Sequence, residues 1–281
     1  MSAVKNIALQ LIGNEHSFTK SEQKIARVLL ADYPAAGLST VASLADKAKV
    51  SAPTVIRFIN ELGFASYKDF QECLRTELSQ RETSTLQQVS DQQAQTPSAT
   101  SSALNLLHQV ESSLITIPEK ELQQAITLLG ATSKKIFATG GDYSSVAAEH
   151  LVLQLIQLRP YVHLLPSKAI LAAATLCDSK KGDILCVYDV RRYSPHTLRI
   201  TKAAKELGMK IVLFTDKWLS PIASFADVVI PAEVESDSAN DSSVSLLAVT
   251  EYVCNQVAAT LTPLATTRLE KLDQLRLRIE S

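Results

Sequence analysis

Ser39–Gly63, STVASLADKAKVSAPTVIRFINELG, reads as two short helices joined by a tight turn. Thr40 offers a side-chain oxygen to the free N–H groups of the first helix, and Ser51 does the same for the second. Val41, Leu44, Ala45 and Ala48 recur at helical spacing in the first; Val55, Phe58, Ile59 and Leu62 do so in the second. Pro53, Thr54, Arg57, Asn60 and Glu61 are left facing outward. Pro53 falls in the first turn, where its missing N–H costs nothing, and Gly63 stands where a left-handed residue stops a helix. Only Lys49 and Val50 separate the two elements. So short a turn crosses the helices steeply, which lets a second helix enter a DNA major groove while the first lies across the backbone. Ser51, Pro53, Thr54, Arg57 and Asn60 are the candidate DNA-facing residues, with the Arg57 fork suited to guanine or phosphate. A plain helical hairpin with solvated Arg and Thr fits the same spacing.

Around this core, TKSEQKIARVLLADYP places Ile25, Val28 and Leu29 on one helical face, and SYKDFQECLRTELSQ continues the bundle through Phe70, Leu74 and Leu78. Residues 1–80 are therefore expected to form an all-α helix-turn-helix domain. They hold nine Lys/Arg and eight Asp/Glu, a balance of +1, so a single copy neutralises few phosphates. Binding through paired copies, in a homodimer or homotetramer, follows.

Residues 81–103, RETSTLQQVSDQQAQTPSATSSA, are poor in aliphatic side chains and rich in Ser, Thr and Gln, the composition of a linker. From 104 to 281 the pattern changes. Helices are expected around Leu104–Ile115 and Glu119–Leu129, followed by short apolar runs at Lys135–Thr139, Tyr161–Leu165, Asp183–Tyr188, Lys210–Thr215 and Val228–Pro231. Helical patterns separate them at Ser145–Leu158, Ser167–Cys177, Pro195–Leu207 and Ser220–Phe225, and Ser243–Leu261 follows. Five short strands covered on both faces predict a five-stranded parallel sheet in a three-layer α/β sandwich. A last helix is read at Arg268–Ile279, with Leu269, Leu272, Leu275 and Ile279 on one side.

The chain has 281 residues, 46% of them hydrophobic, and a net charge of −1, which excludes general disorder and a polybasic membrane or histone-like role. Its N-terminal residues lack a signal-peptide core and no run approaches bilayer length, so a cytoplasmic protein with no membrane partner is expected. Cys73, Cys177, Cys186 and Cys254 are scattered without CxxC spacing and read as buried thiols. No metal, cofactor or catalytic histidine is suggested by the spacing of the five histidines.

Ligands in open parallel sheets bind beyond the carboxyl ends of the strands. After the first strand, GGDYSS (Gly140–Ser145) opens a helix, so Gly141, Ser144 and Ser145 form a candidate anion cradle. A Gly-Gly turn with Ser caps fits equally. After the third strand, YDVRRYSPHT (Tyr188–Thr197) sets Arg191, Arg192, Tyr193 and Ser194 at the same end. The arginines present planar forks suited to phosphate or carboxylate; a solvated pair, or an ion pair with Asp189, Asp216 or a carboxylate of another subunit, is the alternative. Thr215 closes the fourth strand and completes the candidate set.

With both halves in view, the chain resembles the RpiR (MurR/RpiR) family of bacterial regulators, a helix-turn-helix domain joined to a sugar isomerase (SIS) domain. The specific stretch is VSAPTVIRFINELGFASYKDF, Val50–Phe70, similar to the family pattern VS-x-x-TV-x-RF, then LGF, then an aromatic-led helix. Lys49 departs from it, standing where a turn Gly is common. In the second half, Lys181–Asp216 and Ser220–Ile230 resemble SIS elements. Phosphosugar-binding SIS domains carry S-x-S-G-x-T where a gapless comparison places Asp189–Ser194; only the last hydroxyl is kept, and two arginines replace backbone donors. The resemblance implies a non-enzymatic transcriptional regulator, commonly a repressor, of double-stranded operator DNA under control of a small anionic metabolite such as a sugar phosphate or a carboxylate. A SIS-fold sugar-phosphate isomerase and a regulator with a ligand-free SIS scaffold are the alternatives.

Overall fold

The computed structural model describes residues 7–13, 17–82, 99–238 and 240–280. Residues 83–98 of the expected linker lie outside them. Its last five residues do not: the helix that follows begins at Ala99, because the Ala/Ser-rich run ATSSA is compatible with helix and leads directly into Leu104.

The N-terminal unit contains α1 (Ile7–Gly13), α2 (Lys20–Ala31), α3 (Ala35–Leu38), α4 (Val41–Ala48), α5 (Ala52–Glu61) and α6 (Tyr67–Glu82). Thr19 caps α2 by accepting from Glu22 N–H, while the Glu22 carboxylate accepts from Thr19 N–H at 2.8 Å, a capping box. Thr40 accepts from Ser43 N–H at 3.2 Å and Ser51 from Thr54 N–H at 3.4 Å, so both caps anticipated in the sequence are made. Lys49 ends α4 in the left-handed region at φ 53°, and Gly63 follows α5 at φ 87°. Leu44, Val55, Phe58 and Ile59 are fully buried with Ile25, Leu29, Phe70 and Leu74. Each such side chain contributes about 1.5 to 3 kcal/mol of burial, which holds the α4–α5 crossing rigidly.

The second unit runs α7 (Ala99–Ile115), α8 (Glu119–Gly130), β1 (Ile136–Gly140), α9 (Ser145–Leu158), β2 (Val162–Leu164), α10 (Ala169–Cys177), β3 (Ile184–Tyr188), α11 (Pro195–Glu206), β4 (Lys210–Asp216), a 3-10 turn at Pro221–Ser224, β5 (Val228–Ala232) and α12 (Val244–Glu280). The five strands pair in parallel in the order β2-β1-β3-β4-β5. One face packs on α8, α9 and α12, the other on α10, α11 and the 3-10 turn. Tyr188 and Phe214 stack on adjacent strands with ring centroids 4.5 Å apart.

Three expectations are corrected. The two C-terminal helices are one, since α12 continues helically to Glu280 and Arg268 donates to the Ile156 carbonyl at 2.7 Å, tying the extension to α9. Val244–Leu261 is long and apolar enough to cross a membrane, contrary to the reading of the runs, but Leu246, Val249, Val253 and Val257 are buried in the core beside the sheet. Cys177 is exposed at the end of α10, whereas Cys186 and Cys254 are buried.

The units touch. Ala8, Ile12, Leu30 and Tyr33 join the apolar cluster that holds Leu219 and Ile222. Beside this seam the Tyr33 hydroxyl donates to the Glu77 carboxylate. Burial raises the Glu77 carboxyl above its ordinary range, against the lowering effect of Tyr33, Ile7 N–H and Lys217. Lys217 belongs to the segment that leaves β4, so the seam reaches toward the carboxyl end of the sheet.

Candidate functional site

The first candidate surface is the outer face of α5. Ser51, Pro53, Arg57 and Asn60 are exposed and Thr54 is half-buried, while Val55, Phe58 and Ile59 face the core. Ser51 and Thr54 hydroxyls lie 2.8 Å apart at the helix start. The Arg57 guanidinium approaches Glu22 at 3.9 Å and Glu61 at 3.7 Å, and its side chain is 64% exposed. Pairs so long and so wet contribute little, leaving the fork free to swing toward another anion. Ala52 and Ile56 also face outward. Sequence reading passed over them for lack of a polar group, although small apolar side chains on such a face suit a thymine methyl.

The second surface lies where the chain reverses direction across the sheet. From β1 the path leads to β2 on one side; from β3 it leads to β4 on the other, which opens a crevice between the ends of β1 and β3. A cavity of about 210 Å³ sits there, walled by Gly141–Ser144, Asp189–Arg192, Ser194 and the segment Asn240–Ser243 before α12. An adjoining cleft of about 910 Å³ shares Gly141, Asp142 and Ser194 and adds Ser145, Lys168 and His196. Lys168 and His196 were missed because each stands alone in sequence, and only the fold brings them to one rim.

The hydroxyls and arginines are held closely. Ser144 Oγ donates to the Tyr188 carbonyl at 2.7 Å and accepts from Gly141 N–H at 2.9 Å, fixing the Gly-Gly turn. A Cβ on Gly140 would come within 2.7 Å of Ser145 N, so the close approach of strand and helix requires glycine there. Arg191 is buried, and its guanidinium engages the Asp241 carboxylate through both Nη2 and Nε, the latter at 3.3 Å. Arg192 Nη2 lies 3.9 Å from the same carboxylate, reached through a backbone at φ 72°. Asp241, which was not among the partners foreseen, engages these side chains, and Asp216 accepts from Arg191 N–H.

Tyr193, outside the cavity wall, donates to Asp216 at 2.7 Å. Thr215 is fully buried, donates to the Asp189 carbonyl at 2.8 Å and accepts from Ser220 N–H at 3.0 Å. The Asp189 carboxylate accepts from Ser194 N–H at 3.1 Å and from the Ser220 hydroxyl. Asp189 thus braces the loop from within. Burial pushes the Asp216 carboxyl up to about 6 even though Tyr193, Trp218 N–H and Arg191 N–H donate to it. Of the proposed ligand residues, Gly141, Ser144, Arg191, Arg192 and Ser194 share the cavity, Ser145 lies in the adjoining cleft, and Tyr193 and Thr215 support the wall from behind.

These features meet in known proteins. The pattern described as helix-turn-helix domain, rpiR family, matches residues 5–81, and that of the SIS domain matches residues 131–260. The chain belongs to the RpiR family. It is thereby a helix-turn-helix regulator carrying a SIS domain, and its N-terminal domain is of a DNA-binding kind. The HTH-type transcriptional regulator HexR of Escherichia coli is 27% identical over 242 residues, which span 85% of this chain and 80% of that protein. The sugar isomerase domain of an RpiR transcription factor from Sphaerobacter thermophilus superposes with a TM-score of 0.57, at 22% identity over 62% of this chain and 96% of that one. The Vibrio vulnificus NanR protein, complexed with ManNAc-6P, superposes with a TM-score of 0.56 at 18% identity, covering 97% of this chain and 98% of that one. At such identities the two structures establish a common fold. Lys49, where the resemblance anticipated a glycine, holds the left-handed backbone of the turn at φ 53°.

Proposed function

We propose that this RpiR-family chain is a non-enzymatic, cytoplasmic transcription factor, in which residues 1–80 read operator DNA as paired copies and residues 104–281 bind a small anionic effector. Repression is the direction we assign. The observation that carries the reading is the pairing of an exposed Arg57/Asn60 helix face with a separate, cation-bearing cavity at the reversal point of the sheet. That NanR was solved with a sugar phosphate supports an effector of that chemistry, and the regulator names of relatives support control over catalysis.

A second reading, a SIS scaffold without ligand, is favoured by one feature: Arg191 already has its carboxylate inside the protein. The test is a shift assay on the DNA upstream of the chain's own gene, in a homodimer or homotetramer defined by light scattering, against a panel of phosphorylated and carboxylated sugars. Release of DNA by one of them, without its chemical conversion, supports the sensor. Conversion of a phosphosugar would support an isomerase, and indifference to the whole panel the scaffold.

A further inference from the structure

The Arg191–Asp241 pair is more than a buried strut. The Arg191 side chain is 4% exposed and that of Asp241 17%, and both residues line the cavity, the aspartate being the more accessible of the two. A second arginine converges on the same carboxylate: Arg192, 40% exposed, lies 3.9 Å from Asp241. Its backbone holds φ 72°, a conformation that costs a non-glycine residue about 1 to 2 kcal/mol. Arg191 lies also in the field of Glu235 and Asp216, so Asp241 is not its sole counter-charge, yet both guanidinium groups converge on Asp241. Two forks aimed at one acceptor, one of them from a strained backbone, are the donor set of an oxyanion site.

The walls around Asp241 agree. Ser194, Ser242 and Ser243 add hydroxyl-bearing residues to the cavity wall. At about 210 Å³ the cavity falls below the roughly 300 to 1,000 Å³ of ordinary ligand pockets, and Asp241 is one of the groups that narrow it.

We propose that Asp241 is an internal stand-in for the acidic group of the effector: an incoming oxyanion takes over Arg191 and Arg192, and the Asp241 side chain moves out. This rests on the reading that the cavity is an effector site, and it names how the site selects. Because Asp241 is tethered, it competes at high effective concentration, so a bare anion binds weakly. Only a ligand whose remaining groups also fill the widened cavity prevails, which gives discrimination against the abundant simple anions of a cell.

The molecule supplies its own reporter. Arg191 Cζ lies 5.4 Å from the ring centroid of Trp218, the single tryptophan of the chain, so a change at Arg191 alters its emission. Wild type and Asp241→Asn are titrated with inorganic phosphate at constant ionic strength, with Trp218 emission as the readout. The variant is expected to bind phosphate at least tenfold more tightly, and adding Arg192→Gln to it should cancel most of the gain. Equal affinity in wild type and a folded Asp241→Asn overturns the proposal. Should that variant fail to fold by circular dichroism, Arg192→Gln alone decides: its phosphate affinity falls at least threefold below wild type, and an unchanged value overturns the proposal. A shift assay on the same proteins separates the two levels of inference. If wild type releases DNA on addition of a sugar acid while phosphate affinities are equal, displacement is wrong and the sensor stands; if no panel member acts, the sensor itself fails.

Discussion

Arg191 and Asp241, fifty residues apart in sequence, close the carboxyl end of the sheet by joining the loop after β3 to the segment that leads into α12. Both side chains are largely shielded; without Asp241 the Arg191 cation loses its hydrogen-bonded carboxylate, and without Arg191 that carboxylate keeps Arg192 at 3.9 Å. Arg191→Ala and Asp241→Ala are each expected to cost about 3 kcal/mol, and the double variant less than the sum, by urea unfolding. Additive losses would show that the pair is not coupled.

Arg159 is the largest fully buried side chain among the described residues. Its guanidinium donates to the carbonyls of Leu129 at 2.6 Å, Pro160 at 3.3 Å and Lys134, tying the end of α8 to the start of β1 and the end of α9. Arg159→Ala empties that space and strands the carbonyls, with an expected loss of about 3 to 5 kcal/mol. Arg159→Lys recovers only part of it, because a point donor cannot span three diverging acceptors. Melting temperatures in that order check the account.

The contrast between these sites shows what could be read in the chain. The helix-turn-helix was legible because its caps, turn and apolar spacing are local: Thr40, Ser51, Pro53 and Gly63 each act within a few residues. The strands were legible for the same reason, and observed ends differ from expected ones by at most one position. Asp241 was not, since the run DSANDSS reads as ordinary loop and only the crossing of β3 and α12 brings it to Arg191. Nor was Arg159, which precedes a proline and looks like a surface residue until α8 and β1 close over it. The contact of α2 with the 3-10 turn belongs to the same class, because apolar residues such as Leu30 and Tyr33 do not disclose what they face.

Asp216 gives a pH signature. An unfolded aspartate ionises near pH 4, whereas the buried one holds its proton until about 6. Between those values the folded state binds more protons, so the stability that Asp216 contributes is full below about pH 4 and declines as pH rises toward 6, by up to about 3 kcal/mol. Asp216→Asn removes that titration. The stability advantage of wild type over the variant should therefore shrink from pH 4 to pH 7 in urea unfolding, and an advantage that grows with pH contradicts the assignment.

Lys49 carries the strain of the turn. At φ 53° a side chain is disfavoured, and nothing in its exposed position demands one. Lys49→Gly should raise stability by about 1 kcal/mol, a few degrees in melting temperature, without moving α5. A lower melting temperature would place the lysine side chain in a supporting role.

The proposed function stands or falls with DNA reading by α5. Its most direct test is salt-dependent binding of the full-length protein to the DNA upstream of its own gene, beside Arg57→Ala. Saturable binding by wild type is expected, with a loss of about 1 to 3 kcal/mol in the variant, concentrated at one base position of the site. Equal, weak and steeply salt-sensitive binding by both proteins would contradict it.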